Sequence, residues 1–600
     1  MAEELKERKD CDPRYQWDLT TLYRDDSAWE KDLASLGAAA DAVAAFQGKL
    51  RDAASIRGYF DAETALERKL DNVYTYAMLR HDEDTAKDDA QVLLAKAGAA
   101  YAQVVTKVSF AEPEILSLPE EDLQKITEDP LLAPFQFEME KILLEKPHVL
   151  SAENEQLLAS FSEVFQSPAS TASSLMDADL AFDDAADSQG NTVPVNESNY
   201  ILLQQSEDRA LRKSAFQSFY KGYRGHINTF ASTYTGTVKA AVTEAKVRRY
   251  GSSREMAMAS ENIPLSVYDS LVETVRRHLP SMYRYVALRK KLLKLDELHY
   301  YDVYTPLVAG LSHTWSYEEA KQMVLDALSP LGKDYTDTVR SAFDSGWIDV
   351  YPNKNKRGGA YSSGTYDSNP FILTSYTGDY ESVSTIAHEM GHSMHTYLAK
   401  NAQPPQYAGY TLFVAEVAST VNENLLVEKL LKDTTDPKER LFLLNQYLDG
   451  FKGTVFRQTM FAEFEQKAHA LAEEGGALTP AALNGIYGKL VKDYFGPDLV
   501  MDDEVPYEWA RIPHFYRPFY VYKYATSYSA AVAIEEKILK KGEKEVTPYL
   551  EFLKMGGSDY PLKELAHAGV DLATPEPVEL ALQKFDRILD EAEALAGKLS

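Results

Sequence analysis

The sequence predicts a mainly α-helical protein that carries one small β-sheet. Residues 26–110 are rich in Ala, Leu, Lys, Glu and Asp and contain few helix breakers, which favours several antiparallel helices. Strand-like runs are few and lie near 299–307, 347–352 and 360–376. Because 45% of the 600 residues are hydrophobic, the chain has ample material for a large core.

The order of elements along the chain predicts two domains. Prolines punctuate short connections at Pro113, Pro119, Pro130 and Pro134. A hairpin is predicted around Gly190-Asn191, and a helix capped near Ser206 follows it, so we place a boundary between domains 1–195 and 196–600. Further helices are predicted over 206–295, 317–345, 410–475, 480–494, 515–541 and 575–598.

Residues 388–392 read His-Glu-Met-Gly-His, the spacing of a zinc-hydrolase helix. On a helix, residues four apart share a face, so His388 and His392 can reach one cation together. Glu389 then lies where its carboxylate can meet a water on that cation. Residues 381–400 contain no proline and repeat apolar residues at helical spacing, namely at Val383, Ile386, Met390, Met394 and Leu398.

The flanks of this helix favour the same interpretation. Asp379 can cap its start, and Pro404-Pro405 follow its end. The preceding run 370–376 reads as a strand and turn, and a strand leading into a histidine-bearing helix is the usual setting of such a site. The alternative is an amphipathic helix whose two histidines are merely packed or exposed.

Catalytic zinc normally keeps three protein ligands, so a third must be found. A metzincin would need glycine at position 395 and histidine at position 398, whereas this chain has His395 and Leu398. His395 lies about 10 Å along the helix axis from His388, which makes it a poor ligand. We therefore predict that His395 lies behind the ligands or packs in the core.

A glutamate from a second helix, over 410–426, supplies the third ligand instead. Glu416 sits among apolar residues, where a bare carboxylate is costly unless it is paired or binds metal. Small residues at 415, 418 and 419 would let this helix approach the first one closely. Glu423 shares the face of Glu416 and could hold a ligand histidine by its other ring nitrogen. A buried salt bridge is the alternative for Glu416.

The two helices together resemble the M3 family of zinc oligopeptidases, and in detail its oligoendopeptidase F branch. The resemblance rests on His388-Glu-Met-Gly-His-Ser-Met-His395 followed by Phe413-Val-Ala-Glu-Val-Ala-Ser-Thr-Val-Asn-Glu423. Segments 349–361 and 511–528 are similar to the stretch before the family's zinc helix and to its C-terminal histidine- and tyrosine-rich stretch. The likeness is strong over 190–590. It implies helical lobes that enclose a deep substrate channel.

The tyrosine-rich segment suits the chemistry of peptide hydrolysis, because neutral donors stabilise the oxyanion that forms on the cleaved carbonyl. His514, Tyr520 and Tyr524 resemble the family's oxyanion and substrate-binding positions. Tyr522 and Tyr528 compete for the same roles as substrate-binding residues. With 38 tyrosines in the chain, simple packing is the alternative for each of them.

The predicted function is zinc-dependent hydrolysis of internal bonds in short peptides. His388, His392 and Glu416 hold one Zn²⁺ per chain, and Glu389 acts as general base. Strand 371–376 could pair with an extended peptide. Gly358 and Gly359 suit close approach to substrate or are ordinary turn residues. Two rivals are a helical metallocarboxypeptidase and a non-catalytic peptide-binding scaffold.

Composition narrows the partners and the location. The net charge of −29 disfavours nucleic acid and anionic membranes as partners. No run of 18 apolar residues occurs, and the first ten residues are highly charged, so neither a membrane span nor a secretory signal is expected. A single cysteine, Cys11, fits a reducing compartment. The sequence therefore predicts a cytoplasmic enzyme acting on short peptides.

Overall fold

The computed structural model describes residues 5–308 and 313–599. Helices dominate this part of the chain, and its strands form three small sheets. The predicted fold class, mainly α with a small sheet beside the histidine-bearing helix, is confirmed.

The helices of the first third of the chain follow one another with short connections. They are α1 (Asp26–Ala44), α2 (Ala53–Glu83), α3 (Asp88–Val108), α4 (Ala111–Leu116), α5 (Glu120–Thr127), α6 (Gln136–Glu145), α7 (Ala152–Ser160) and α8 (Ser162–Ser174). The predicted hairpin follows, with β1 (Ala185–Ala186) antiparallel to β2 (Thr192–Val193).

The middle of the chain combines helices with the remaining short strands. Its helices are α9 (Tyr200–Gln204), α10 (Arg209–Gly225), α11 (Ile227–Val247), α12 (Ser253–Ala259), α13 (Leu265–Arg277), α14 (Leu279–Leu292), α15 (Tyr317–Ala327) and α16 (Lys333–Asp344). Its strands are β3 (Leu298–His299), β4 (Ile348–Asp349), β5 (Tyr361–Ser363) and β6 (Phe371–Leu373).

The last third of the chain is again helical, with one short strand, β7 (Leu499–Val500), that pairs with β3. Its helices are α17 (Tyr380–Ala402), α18 (Leu412–Asp433), α19 (Pro437–Phe451), α20 (Arg457–Glu473), α21 (Pro480–Phe495), α22 (Tyr522–Lys541), α23 (Glu543–Met555), α24 (Pro561–His567) and α25 (Glu576–Leu599).

The chain divides into two compact units that alternate along the sequence. The first unit comprises Met1–Ala152, Ser312–Lys429 and Ile534–Val570, and the second comprises Glu153–Leu311, Leu430–Ala533 and Asp571–Ser600. Because compactness does not show which segment folds or functions alone, the consecutive domains 1–195 and 196–600 stay a prediction.

The first unit builds its core from helices α1–α3 and the strand that leads to α17. Trp29 of α1 is fully buried, and its indole N–H donates to the carbonyl of Val73 in α2 at 2.8 Å. Phe371 and Leu373 of β6 belong to the same apolar cluster. The N-terminal helices therefore support the strand from which the histidine-bearing helix starts.

Strand β6 is the middle strand of the sheet β4-β6-β5. It runs parallel to β4 and antiparallel to β5, with Ile372 opposite Ile348 and Ser362. The backbone of residues 371–373 is therefore engaged on both sides and cannot pair with a peptide, whereas pairing at residues 374–376 stays a prediction. The edge strands of this sheet are β4 and β5.

The second unit contains α20 and the histidine- and tyrosine-rich segment. A buried carboxylate, Glu508, accepts hydrogen bonds from Tyr300, Tyr487 and Arg457 at 2.5, 2.7 and 2.7 Å. Because each of these donors comes from a different element, the carboxylate ties the segment that precedes His514 to the helices around it.

The predicted helix over 515–541 begins later than expected, at Tyr522. Residues Pro513–Tyr516 form a short 3-10 turn instead. Pro518 disfavours a helical residue before it, and Phe519 has a positive φ of 56°. The helical pattern of the sequence is therefore interrupted in its first two turns.

Within residues 5–308 and 313–599, no helix combines the length and apolar character that crossing a membrane requires. The predictions about membranes, nucleic acid and a cytoplasmic location stay predictions.

Candidate metal centre and active site

Helix α17 forms where the sequence predicts it, for local reasons. The carboxylate of Asp379 caps its start by accepting the backbone N–H of Ser382 at 2.8 Å. Val383, Ile386, Met390 and Met394 are fully buried along one stripe. The helix therefore has a fixed rotation about its axis, and this rotation determines where His388 and His392 point.

Helix α18 crosses α17 at very close range. A Cβ placed on Gly391 would lie 2.6 Å from both the carbonyl oxygen of Ala418 and the Cα of Ser419. Asn422 also donates from its side chain to the carbonyl of Ala387 at 3.1 Å. The small residues predicted to permit a close approach are thus at the crossing, and Gly391 supplies the matching space.

The Gly391→Ala variant is expected to be about 1–3 kcal/mol less stable, because the added methyl group overlaps the backbone of α18. It should also bind metal more weakly, since the three converging donor residues come from both helices. Urea unfolding and a metal titration measure the two effects. Gly98→Ala is the matched control in a helix with open space around the site. Wild-type stability and affinity in Gly391→Ala would contradict the importance of the crossing.

The three predicted ligands converge. The Nε2 atoms of His388 and His392 lie 3.2 Å apart, and each lies 3.5 Å from Oε2 of Glu416. Within the described residues, these side chains are the one group of histidine, cysteine or acidic residues whose donor atoms could hold a metal ion together.

The spacing of these donor atoms fits a tetrahedral metal. Zinc binds imidazole nitrogen and carboxylate oxygen at about 2.0–2.2 Å, so two ligands of a tetrahedral site lie about 3.3–3.5 Å apart. The three observed separations of 3.2, 3.5 and 3.5 Å agree with that value. Two nitrogens and one oxygen are also the donor set of many catalytic zinc sites.

Carboxylates around the histidines favour positive charge at this position. Burial lowers the pKa of His388, but the hydrogen bond and charge of Glu423 outweigh it and raise the pKa to about 9. Burial likewise raises the pKa of Glu416, but His392, His388 and the hydroxyl of Ser419 lower it to about 2. Glu416 is therefore ionised at neutral pH, as a ligand must be.

Glu423 holds His388 from behind. Its Oε1 lies 3.0 Å from Nδ1 of His388, which fixes the ring so that Nε2 faces Glu416 and His392. Ser419 acts on Glu416 in a similar way, because its hydroxyl donates to Oε2 at 2.9 Å.

Replacing Glu423 by alanine is expected to weaken metal binding by about 10- to 100-fold, because the ring of His388 loses the partner that orients it. Glu423→Gln keeps an acceptor oxygen and should lose less. Competition with a metal-binding dye measures the affinity. An unchanged affinity in Glu423→Ala would show that the contact does not orient the ring.

Glu389 is not one of the three converging residues, and its carboxylate interacts electrostatically with all of them. Its side chain is buried, with 6% exposure. Burial raises the pKa of Glu389, and this effect outweighs the opposing influence of His388 and His392. A carboxylate with a raised pKa can both accept and return a proton near neutral pH, which is what a general base requires.

His395 is a packing residue in this structure. Its ring stacks on Tyr410 with centroids 3.7 Å apart and an interplanar angle of 2°, and it also contacts Phe552. Burial lowers the pKa of His395 to about 3, so the ring is neutral. The hydroxyl of Tyr410 lies 3.1 Å from that of Thr396, so the stack fastens the start of α18 to α17.

His514, Tyr520 and Tyr524 lie together in the second unit. Ring centroids are 6.1 Å apart for His514 and Tyr520, 6.0 Å for His514 and Tyr524, and 5.5 Å for the two tyrosines. His514 is exposed and both tyrosines are half-buried. Desolvation and the charge of Arg517 lower the pKa of His514, which favours its neutral form.

Tyr522 and Tyr528 are buried, with 0% and 7% exposure. Tyr522 packs on Tyr268 with ring centroids 5.0 Å apart, and Tyr528 meets Phe451 edge-on at 5.0 Å. A substrate contact at either tyrosine stays a prediction.

Gly358 and Gly359 lie in an exposed bend before β5. A Cβ would meet nothing within 4 Å at either position, and Gly359 has a positive φ of 86°. The positive φ explains glycine at 359 as a turn residue. A substrate contact at either glycine stays a prediction.

Sequence reasoning missed the roles of Gly391, Asn422 and Tyr410. A glycine inside a helix that otherwise repeats apolar residues is a signal of a close crossing. Asn422 holds the backbone of α17, which its spacing of four and three residues from the small residues Ala418 and Ser419 could have indicated. Nothing in the sequence indicates the stack of Tyr410 on His395.

A helical fold in which two histidines of one helix and a glutamate of another converge beside a buried glutamate defines the class of HExxH metallopeptidases. The family model described as peptidase family M3 matches residues 202–584, and the model described as oligopeptidase F matches residues 114–182. The chain belongs to peptidase family M3, and it is a metalloendopeptidase of the oligopeptidase F type. The resemblance read from the motifs is confirmed.

Individual relatives are similar in sequence to this protein along nearly the whole chain. The oligopeptidase PepF of Bacillus subtilis is 45% identical over 602 residues, which cover 100% of this chain and 90% of the relative. The group B oligopeptidase PepB of Streptococcus agalactiae is 42% identical over 98% of both chains.

Solved structures are similar as well. A putative peptidase from Chlamydophila abortus has a TM-score of 0.93 and 37% identity, covering 99% of this chain and 100% of its own. Oligoendopeptidase-F from Enterococcus faecium has a TM-score of 0.75 and 37% identity, covering 96% and 99%.

Proposed function

We propose that this metalloendopeptidase uses zinc and a glutamate base to hydrolyse internal bonds of short peptides. The observation that carries the proposal is the convergence of His388, His392 and Glu416 at tetrahedral spacing beside buried Glu389. Family membership supports peptides as the substrates.

His388, His392 and Glu416 would hold the ion, one per chain. Their two nitrogens and one oxygen favour zinc among the common biological cations, whereas Mg²⁺ and Ca²⁺ prefer oxygen ligands alone. When bound, zinc supplies Lewis acidity that makes a water molecule more acidic and polarises a carbonyl group.

Glu389 carries the proton in this reaction. Its carboxylate removes a proton from the attacking water as the oxygen–carbon bond forms. The same group, now protonated, delivers that proton to the amide nitrogen as the carbon–nitrogen bond breaks. The raised pKa of Glu389 supports both steps, because it reduces the cost of holding the proton between them.

His514 and Tyr520, with Tyr524 beside them, would donate hydrogen bonds to the oxygen on which negative charge develops. Their partial exposure supports this role, since a donor must be reachable by the substrate. Neutral His514 and a tyrosine hydroxyl can both donate without giving up a proton.

The edge strand β5 would receive the peptide backbone. Its residues pair with β6 on one side, and an extended peptide can add to the other side of an edge strand. Restriction to short peptides follows from the channel that the family resemblance implies. A cytoplasmic location agrees with the presence of a single cysteine.

Mass spectrometry of the products from a short synthetic peptide tests the proposal. Internal cuts that disappear after chelation and return with zinc are the expected result, together with no cleavage of a folded protein. Ladders that lose one residue at a time from the C-terminus would indicate a carboxypeptidase. Tight peptide binding without any product would indicate a non-catalytic scaffold.

A further inference from the structure

Phe519 has an unusual backbone conformation directly before Tyr520. Five non-glycine residues in the described part of the chain have a positive φ, and they are Arg249, Asn262, Lys294, Asn355 and Phe519. The first four are exposed, and three of them lie two or three positions beyond helix ends, where this conformation is common. Phe519 is buried, so its surroundings must enforce the conformation.

A buried acid holds the backbone of Phe519. The N–H of Phe519 donates to Oε1 of Glu465 at 3.0 Å, inside the second unit. Glu465 lies in the middle of α20 and has 0% exposure. Without this acceptor the N–H would be buried and unpaired, and without this donor the acid would have no hydrogen bond at Oε1.

Aromatic contacts from α20 and α13 hold the side chain of Phe519. Its ring centroid lies 4.5 Å from that of His469, one turn after Glu465 on α20. Tyr268 meets the ring edge-on at 5.9 Å. The backbone and the ring of Phe519 are therefore both fixed, and α20 supplies a contact to each.

The conformation of Phe519 determines the direction of the next residue. Pro518 and the positive φ of Phe519 prevent helical backbone before α22, which begins at Tyr522. The side chain of Tyr520 therefore lies beside His514 and Tyr524, and the backbone at this residue is not helical. A change of φ at Phe519 would turn the Tyr520 ring away from this cluster.

We infer that Glu465 is a positioning residue that fixes Phe519 in the left-handed conformation and thereby holds Tyr520 in the cluster with His514 and Tyr524, which is proposed to bind the substrate carbonyl. The inference rests on the role of Tyr520 in the proposed function. Glu465 itself does not touch the reacting atoms.

The hydrogen bond needs an acceptor and not a charge. Burial raises the pKa of Glu465 well above its usual range, which favours the neutral form of the group. Glutamine has the same shape and an acceptor oxygen, whereas leucine has a similar volume and none. Aspartate keeps the acid but is shorter by one methylene, about 1.5 Å, which removes the contact.

Steady-state kinetics of the zinc-loaded full-length enzyme with a short peptide test the inference. Glu465→Leu is expected to lower kcat about 10- to 100-fold, because the donor is misplaced in the transition state. KM should change by less than about threefold, since the interaction acts mainly after binding. Glu465→Gln should restore kcat to within about threefold of the wild-type value.

A double-mutant cycle separates positioning from a general structural effect. If Glu465 acts through Tyr520, the variant Tyr520→Phe and the double variant with Glu465→Leu should have equal kcat values. Losses that multiply would overturn the inference. The inference would also be overturned if Glu465→Leu had the wild-type kcat while Tyr520→Phe had a reduced kcat. That outcome would leave the proposed function intact.

The remaining outcomes are distinguishable as well. Wild-type kcat in Tyr520→Phe would remove Tyr520 from the chemistry, and the positioning role of Glu465 would fall with it. Should Glu465→Leu fail to fold, Glu465→Asp decides the question, and wild-type kcat in that variant contradicts the inference.

Glu564→Leu, which removes a fully buried acid in α24 of the first unit, is the control for loss of a buried carboxyl group. Its kcat should stay within about threefold of the wild-type value.

Discussion

The Glu389→Gln variant is expected to bind zinc like the wild-type chain and to lose about 1,000-fold or more in kcat. Glutamine has the shape of glutamate but cannot accept the proton of the attacking water. Metal binding should survive, because Glu389 is not among the three converging donor atoms. Removing its charge from a buried position also relieves the desolvation that raises the pKa of Glu389, so the fold should not suffer.

Peptide turnover and zinc content must be measured on the same preparation of this variant. Glu381→Gln is a suitable control, because it makes the same change in an exposed side chain of the first turn of α17. We expect it to retain activity to within about threefold, as exposed substitutions usually do. Turnover close to wild type in Glu389→Gln would show that another group takes the proton.

The Glu416→Gln variant is expected to lose the metal itself. An amide is a much weaker ligand than a carboxylate, and the negative charge that balances the cation disappears. Removing a residue that hydrogen-bonds to a metal ligand lowers the metal affinity by about 10- to 100-fold. Removing a ligand itself should therefore lower the affinity by more than about 100-fold. Activity should fall in parallel and return in part when zinc is added in excess.

The partial recovery distinguishes this variant from Glu389→Gln, in which added zinc should restore nothing. Circular dichroism should show that Glu416→Gln retains its helices, because the half-buried side chain contributes little to the core. Retention of tightly bound zinc in Glu416→Gln would mean that a different third ligand completes the site.

The sequence predicts helix α17 accurately because the signals for this helix are local. The cap at Asp379, the apolar stripe and the breakers after the helix lie within one segment. Glu416 and Glu423 are seven residues apart, so they share one face of α18 and meet α17 together. The contact between Glu423 and His388 follows from this spacing.

The choice among the tyrosines could not be predicted from spacing. Tyr524 and Tyr528 are four residues apart and share a helical face, yet Tyr528 is buried against Phe451 and Tyr524 is half-buried. Tyr520 lies before the helix, on a segment whose path depends on Phe519. That path depends in turn on Glu465, which is 54 residues away in sequence.

The close crossing at Gly391 shows a second limit of sequence reasoning. The small residues of α18 indicate that a neighbour can approach, and the structure confirms the approach at Ala418 and Ser419. The sequence does not reveal that Gly391 is the residue that faces them, since any small residue on α17 would satisfy the pattern. Tertiary packing selects the partner.

Zinc content per chain, measured by plasma mass spectrometry on the wild-type protein and on Glu416→Gln, is the decisive measurement for the proposed metal centre. One tightly held zinc ion is expected in the wild type and none in the variant, and peptide turnover should follow the zinc content through removal and return. A wild-type chain that holds no zinc, or that turns over peptides at full rate after its metal is removed, would rule out a catalytic zinc ion at His388, His392 and Glu416.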